Sequence, residues 1–373
     1  MAYTKVKPLM VASFPSSRLT GAFGAISGAS LTGLGDGIDT KSASSNPAIN
    51  TNPAAVGHTW LNKTSGELFI CTTATAGENV WVSVGHGDGD VQTLPNLQGT
   101  VAGYYTGGVP TNKTIDKYSF TSDGNATDHG DLSVNREGHS GQNSKTHGYS
   151  SGGDINNTVI DKFSFAGASV TATDVGNLSV GRDSRSGQST ATHGYATGGT
   201  GQNVIDRFSF AADGNATDVG DLTQARHYTS GQNSTTHGYT SGGHPPNFDI
   251  IDKFTFAASA NATDVGNLTA ARGLTSGQSS TTHGYVCGGY LSSVVIDKFS
   301  FSTDGNATSV GSLVAGGQST GGSSSTTHGY DAGGYSPSAN HTKIEKFSFT
   351  TDANATSVGE LVTALRYGGG NQN

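Results

Sequence analysis

Thr236-His237-Gly238-Tyr239-Thr240-Ser241-Gly242-Gly243, followed by Ile251-Asp252-Lys253-Phe254-Thr255-Phe256 and then Ala262-Thr263-Asp264-Val265-Gly266-Asn267-Leu268, is one copy of a phrase that recurs from about residue 100 to residue 373. Its aligned tyrosines are Tyr104, Tyr149, Tyr195, Tyr239, Tyr285 and Tyr330, at steps of 45, 46, 44, 46 and 45. A fixed period of this length means a repeat architecture, because one such unit cannot bury its apolar face alone and must stack on its neighbours.

In the copy from Arg226 to Ala271, Thr229–Thr236 is polar and β-permissive and predicts a first strand, a. His237-Gly238 predicts a tight reversal, since glycine takes positive φ without steric cost. Tyr239–Gly243 predicts strand b, whose glycine pair lets a neighbouring backbone come close. Ile251–Phe256 alternates apolar and polar, the period of two expected of strand c. Ala260–Thr263 turns the chain, and Asp264–Leu268 predicts strand d. Four antiparallel strands in each period match a β-propeller blade, with a β-solenoid as the competing arrangement. Helical repeats of similar period fail, because glycine pairs and β-branched runs recur where helix interiors would lie.

Composition agrees. Glycine is 56 of 373 residues, about twice the usual share, and only 33% of residues are apolar, which suits short strands and tight turns. Phe, Tyr, Ile and Val recur at fixed phase, which disordered tracts lack. The net charge is −8 and 13% of residues are charged, so no basic stripe points to nucleic acid. Cys71 and Cys287 lie in different modules and suggest neither a disulfide framework nor a metal site. Met1–Leu9 leads into no apolar core of signal length, and no stretch nears the roughly 20 apolar residues of a membrane span. The expectation is a soluble protein made in a cytoplasm.

Residues 1–57 are expected to form an extended attachment arm, low in charge and with spaced apolar residues (Leu19, Phe23, Ile26, Leu31, Leu34). Residues 58–86 predict a small β-meander of three strands around Thr59-Trp60-Leu61, Glu67–Thr72 and Val80–Val84. It holds both tryptophans of the chain, and a module this small is expected to gain stability by association, with Trp60, Phe69 and Trp81 as attachment or oligomerisation residues. Residues 87–98 read as a linker and 99–373 as the repeat domain.

The repeat resembles the kelch family over residues 100–373. The shared features are the glycine pair after an aromatic-containing strand, the next strand with its Asp and aromatic, and the Arg that opens strand a. Where kelch repeats carry Trp in strand d, this chain has Val175, Val219, Val265, Val310 and Val358, with His129 in the first copy. The resemblance implies a propeller architecture. Six units carry strands b, c and d, but the first lacks a recognisable strand a. Gln232 and Asn233 lie six and seven residues after Arg226, as Gln372 and Asn373 do after Arg366, so the tail Arg366–Asn373 reads as that strand. The expected fold is all-β, a six-bladed kelch-like β-propeller closed by the C-terminal strand, which pairs edges that an open array would expose.

Strand order puts the d–a and b–c loops on one face. The b–c loops vary, and variable loops on a rigid scaffold are the usual place for recognition. Their distinctive residues are His244, Phe248, Tyr290 and Tyr335, aromatic faces of the kind that stack on sugars. Arg136, Arg182, Arg226, Arg272 and Arg366 form a series with Gly317 in the sixth place. Repetition favours these arginines as ties between blades, while Arg182 and Arg226 are candidate ligand contacts at the channel mouth. The series His147, His193, His237, His283 and His328 is too dispersed to converge on a metal and reads as turn-stabilising. Asp123–Asp128 lacks the glycine of a calcium loop at its sixth place and reads as a c–d turn, and the Asn-Ala-Thr copies as turn asparagines. No catalytic residue, metal or cofactor is assigned.

Thr59–Trp81 also resembles short modules of tailed-bacteriophage tail-fibre and appendage proteins, and the repeat style resembles proteins of phages of marine bacteria. These resemblances imply a virion structural protein. The arm would meet other virion proteins, the propeller would bind a host-surface glycan or decorate the particle, and the assembly would be a homo-oligomer such as a trimer. A glycan-active propeller enzyme and an intracellular kelch-like adaptor are the alternatives.

Overall fold

The computed structural model describes residues 40–53, 55–83, 98–110, 112–154, 157–183, 186–336 and 338–373. Residues 1–39 of the expected arm and 87–97 of the expected linker lie outside the described residues. The chain divides between residues 92 and 93 into two units.

In the first unit, β1 (Thr40–Ala43), β2 (Thr59–Asn62), β3 (Leu68–Thr73) and β4 (Val80–Ser83) form one sheet in that order. β2 to β4 make the antiparallel meander; β1, from the segment assigned to the arm, adds a parallel fourth strand on β2. Phe69 (1% exposed), Cys71 and Trp81 (8%) form the core, with Trp60 packed edge-on against Trp81 at 6.1 Å. The indole N–H groups donate to Ser45 O and Thr51 O, so residues 44–52 fold back over the sheet. Phe69 and Trp81, expected as attachment or oligomerisation residues, instead form the module's own interior. A sheet this short needs its large aromatic rings for a core of its own.

The second unit is all-β and propeller-like, with six sheets of short antiparallel strands in the order a-b-c-d and a single 3-10 turn, Tyr290–Ser292, among the described residues. The fourth sheet is representative, with a Ser230–Asn233, b His237–Ser241, c Ile250–Thr255 and d Thr263–Asn267. Strands a of the second to sixth sheets are Ser140–Asn143, Ser186–Ser189, Ser230–Asn233, Ser276–Ser279 and Gly321–Ser324. In the first sheet Gly369–Gln372 pairs antiparallel with Ala102–Gly108.

The reversal between a and b differs from the expected one. Ser234 forms it, its hydroxyl accepting from Thr236 and His237 N–H, and His237 opens strand b. Gly238 is needed for space, not torsion: a Cβ there would stand 2.3 Å from Phe254 Cζ on strand c. The glycine pair does need positive φ (Gly242 66°, Gly243 139°), and it brings Gly242 against Arg272 O.

Adjacent sheets share one apolar layer. Tyr239 packs on Phe299 and Phe301 of the next sheet at 5.4 and 4.9 Å, and Tyr330 of the sixth sheet packs on Tyr118 and Phe120 of the first at 5.8 and 4.7 Å. Each such contact adds about 0.5–1.5 kcal/mol beyond the burial of its area. Ile115, Ile160, Ile205, Ile251, Ile296 and Ile344 of strands c are all at most 1% exposed beneath these rings.

Strands a converge more tightly still. A Cβ on Gly187 would lie 2.2 Å from Gly141 O, and on Gly231 2.3 Å from Gly187 O. The contact repeats for Gly277, Gly322, Gly370 and Gly141, the last against Gly370 O. Backbone N–H groups donate across the same seams, from Asn143 to Ser189, Ser189 to Asn233, Asn233 to Ser279, Ser279 to Ser324, Ser324 to Gln372 and Gln372 to Asn143. The register is one residue away from the one expected. Asn371 faces Tyr104 as Gln232 faces Tyr239, so the place of Arg226 falls on Leu365, not Arg366.

Gly231→Ala is expected to cost about 2–3 kcal/mol in denaturant unfolding, because its methyl group meets an immobile carbonyl. Gly214→Ala, with nothing within 4 Å, is expected to stay within about 0.5 kcal/mol of wild type in the same measurement.

Candidate functional site

Strand c of four sheets carries an aspartate at 0% side-chain exposure, bound to the arginine that precedes strand a. The pairs are Arg136–Asp161 (2.8 Å), Arg182–Asp206 (2.9 Å), Arg226–Asp252 (2.8 Å) and Arg272–Asp297 (2.9 Å). Arg226 also donates to Thr240 O and Gly242 O. Asp252 accepts from the N–H and hydroxyl of Thr223, which follows strand d of the preceding sheet, so each carboxylate ties one sheet to the next. Burial lowers the Arg136 and Arg182 pKa values, opposed by their aspartates. Buried charges need this full complement of partners. The ligand role expected of Arg182 and Arg226 is corrected accordingly: both guanidinium groups lie inside the scaffold.

The sixth and first sheets break the series. Gly317 takes the arginine's place in the sixth, and Lys343 supplies the cation from strand c, 3.3 Å from Asp331 and 3.5 Å from Glu345. In the first, Leu365 takes that place, and the Tyr105 ring, 1% exposed, packs against Gly321 and Gly333 of the sixth sheet, its hydroxyl accepting from Gly368 N–H. Asp116 then stands 1% exposed without a cationic partner among the described residues, and burial pushes its carboxyl up to about 6 against the N–H groups of Val362 and Thr363.

Arg366 points instead to the face of the d–a and b–c loops, where its guanidinium lies 4.5 Å over Tyr335 and 5.5 Å from the Tyr367 ring. From there a row of rings crosses the face. Tyr367 meets Tyr228 at 5.8 Å, Tyr228 meets His227 at 4.6 Å and His244 at 6.4 Å, and His244 stacks on Tyr290 at 4.7 Å and 22°. Tyr228 (φ 55°) and Tyr367 (φ 59°) hold left-handed backbone that side chains rarely adopt, as do Leu274 and Ser319 at the matching places. A ladder fixes them: Gly138 N–H donates to Tyr367 O, Tyr367 to Ser319, Ser319 to Leu274 and Leu274 to Tyr228. Val109, Glu137, Gly138, Asp183, Tyr228, Arg366 and Tyr367 line a cavity of about 290 Å³ on this face. Burial, then Asp154, raises the Glu137 carboxyl, while Arg366 opposes. Burial lowers His227, opposed by Asp183.

Of the residues expected from the sequence, His244, Tyr290 and Tyr335 join this row. Phe248 braces the loop through its backbone, donating to Gly243 O and accepting from Arg272 N–H. Tyr228, Tyr367, Glu137 and Arg366 were not expected. Their signal lay in the d–a loops, where the residue after the Arg place changes in every copy: Glu137, Asp183, His227, Gly273, Gln318 and Arg366. The five histidines of strand b each meet a neighbouring hydroxyl or serve the turn, as His237 Nδ1 does with Thr236 Oγ1 at 2.8 Å, and burial lowers all five. The asparagines of Asn-Ala-Thr reach across to the preceding strand d, Asn261 Oδ1 accepting from Asp221 N–H at 3.0 Å.

No family model matches this chain, and no curated protein matches it.

Arg226→Ala is expected to cost about 3–5 kcal/mol in chemical unfolding, because it leaves Asp252 buried and unpaired. Lys253→Ala removes only the exposed pair with Asp304 and is expected to cost under about 1 kcal/mol. Asp116 binds its proton more tightly folded than unfolded. Its contribution is therefore full below about pH 4 and lost as pH rises to about 6, roughly 2–3 kcal/mol in all. Unfolding free energies from pH 4 to 8 are expected to show this fall in wild type and not in Asp116→Asn.

Proposed function

We propose that the second unit is a six-bladed β-propeller closed by its C-terminal strand, and that its loop face binds a glycan. The closure is supported by the run of strand-a contacts, which passes from Gly322 to Gly370 and on to Gly141 without a gap. The single observation that carries the glycan reading is the row Tyr290–His244–Tyr228–Tyr367, continued through Arg366 to Tyr335. It is built from residues that differ between copies, whereas the repeated polar residues serve the scaffold. Flat aromatic faces beside carboxylates and a guanidinium offer stacking to sugar rings and hydrogen bonds to their hydroxyls.

In this reading the chain is a virion structural protein of a tailed bacteriophage, a tail fibre or appendage that displays the propeller and assembles as a homo-oligomer. The resemblance of Thr59–Trp81 to appendage modules supports it. Other virion proteins would be met through residues 1–39 and the outer surface of the small sheet, since Phe69 and Trp81 face inward. Glu137 and Asp183 line one cavity, so turnover of bound glycans is the second reading to assay.

Glycan-array binding is expected for the full chain, with Tyr290→Ala and Tyr335→Ala each weakening it roughly fivefold to tenfold at an unchanged thermal midpoint. Retention of no glycan would sink the binding reading. Antibody labelling of intact particles is expected to place the protein on the virion, and its absence from particles would sink that part.

A further inference from the structure

The residue after the Arg place holds an equivalent position in every copy, on the loop face. In the order of the sheets it is Arg366, Glu137, Asp183, His227, Gly273 and Gln318. The scaffold charges repeat from sheet to sheet; these do not. The first three are charged, belong to successive sheets and line one cavity of about 290 Å³. In the other half, Gly273 and Gln318 carry no charge, and burial lowers the pKa of His227.

Opposite charges on one cavity ordinarily close on each other, as the four buried Arg–Asp pairs do at 2.8–2.9 Å. Arg366 and Glu137 do not. The Arg366 guanidinium rests 4.5 Å over Tyr335, and its backbone is pinned by a pair of bonds with Val109 (2.8 and 3.3 Å). Glu137 is pinned through its carbonyl, which accepts from Asp154 N–H, and through Gly138 N–H, which donates to Tyr367 O. Neither side chain makes an ion pair or a hydrogen bond among the described residues. They are close enough to feel each other: Arg366 opposes the rise that burial and Asp154 impose on the Glu137 carboxyl. Asp183 accepts from the Thr200 hydroxyl and has no cation among the described residues. A guanidinium and two carboxylates are therefore held apart across one cavity by anchors in their own loops.

A neutral sugar leaves both signs unanswered, and a purely acidic one meets Glu137 and Asp183 with like charge. Only a ligand of both signs satisfies the whole wall, through charge-assisted hydrogen bonds. The volume lies at the lower end of the roughly 300–1,000 Å³ of small-ligand sites and suits a single sugar residue. We infer that this cavity selects a dipolar sugar: one pyranose beside Tyr228 and Tyr367, its ammonium toward Glu137 and Asp183 and its carboxylate toward Arg366. This rests on the glycan-binding reading and adds to it the charge class of the residue held.

The test titrates the full chain, followed by NMR, with methyl glycosides of sugars that set out the charge combinations. These are muramic acid (ammonium and carboxylate), N-acetylmuramic acid (carboxylate), glucosamine (ammonium) and N-acetylglucosamine (neither). Wild type is expected to bind muramic acid at least tenfold more tightly than N-acetylglucosamine, and roughly fivefold more tightly than either singly charged sugar. Arg366→Gln is expected to erase the advantage of the carboxylate and keep that of the ammonium. Glu137→Gln is expected to cut the ammonium's advantage roughly threefold and keep the carboxylate's. Equal affinity for all these sugars, or preference for a singly charged one over muramic acid, overturns the inference and leaves the glycan reading standing. Weakening of every sugar alike in both variants also overturns it, since that is what a structural role would give. Binding of none of them overturns it too, while the glycan array decides the glycan reading separately.

Discussion

The structure depends on how closely one strand a can approach the next. At each seam the Cα of a glycine rests against a carbonyl oxygen, and a Cβ there would stand between 2.0 and 2.4 Å from it. No side chain tolerates that distance. Because the strands meet so closely, Gln142, Gln188, Gln232 and Gln278 reach the carbonyl of the next sheet's tyrosine, and serine or asparagine side chains take up the neighbouring N–H groups. The same approach sets the spacing at which Tyr239 meets Phe299 and Phe301 farther out. Crowding at the axis fixes the six seam glycines.

Outside the axis, charge does the joining. Each Arg–Asp pair lies inside its sheet, and the same aspartate accepts from the exit of the sheet before. The arrangement tolerates exchange of its cation, since Lys343 serves the sixth sheet from a different strand. It is given up only where the two ends of the repeat domain pair, with Leu365, Tyr105 and Asp116. There Leu365 supplies no cation, and the arginine one residue on lies on the outer face. One local break in the repeat thus accounts both for a buried carboxyl near neutrality and for the cation among the surface rings.

Much of this was legible in the sequence. The period, the order of strands and the buried aromatic and isoleucine positions follow from phase alone, because burial recurs wherever the phrase does. Four expectations needed correction, each for a reason local pattern does not carry. Gly238 looks like a turn glycine but answers to a phenylalanine on another strand. Arg182 and Arg226 look like a ligand series but face aspartates some 25 residues away. The C-terminal tail matches the repeat best one residue out of register, since Gln372-Asn373 imitates Gln232-Asn233 while the backbone pairs Asn371 with Tyr104. Trp60, Phe69 and Trp81 were recognised as one cluster, but which way they face was decided by residues 44–52 folding over them.

The sequence by itself determined the all-β repeat, its period and the residues each copy buries, because these depend on alternation and recurrence within one unit. Tertiary structure decided which of the non-repeating residues come together. Tyr228 and Tyr367 are 139 positions apart and belong to different sheets, yet their rings lie 5.8 Å from each other. Their meeting depends on the left-handed backbone before each strand a and on the ladder that holds it, and both exist only once the sheets are assembled around a common axis.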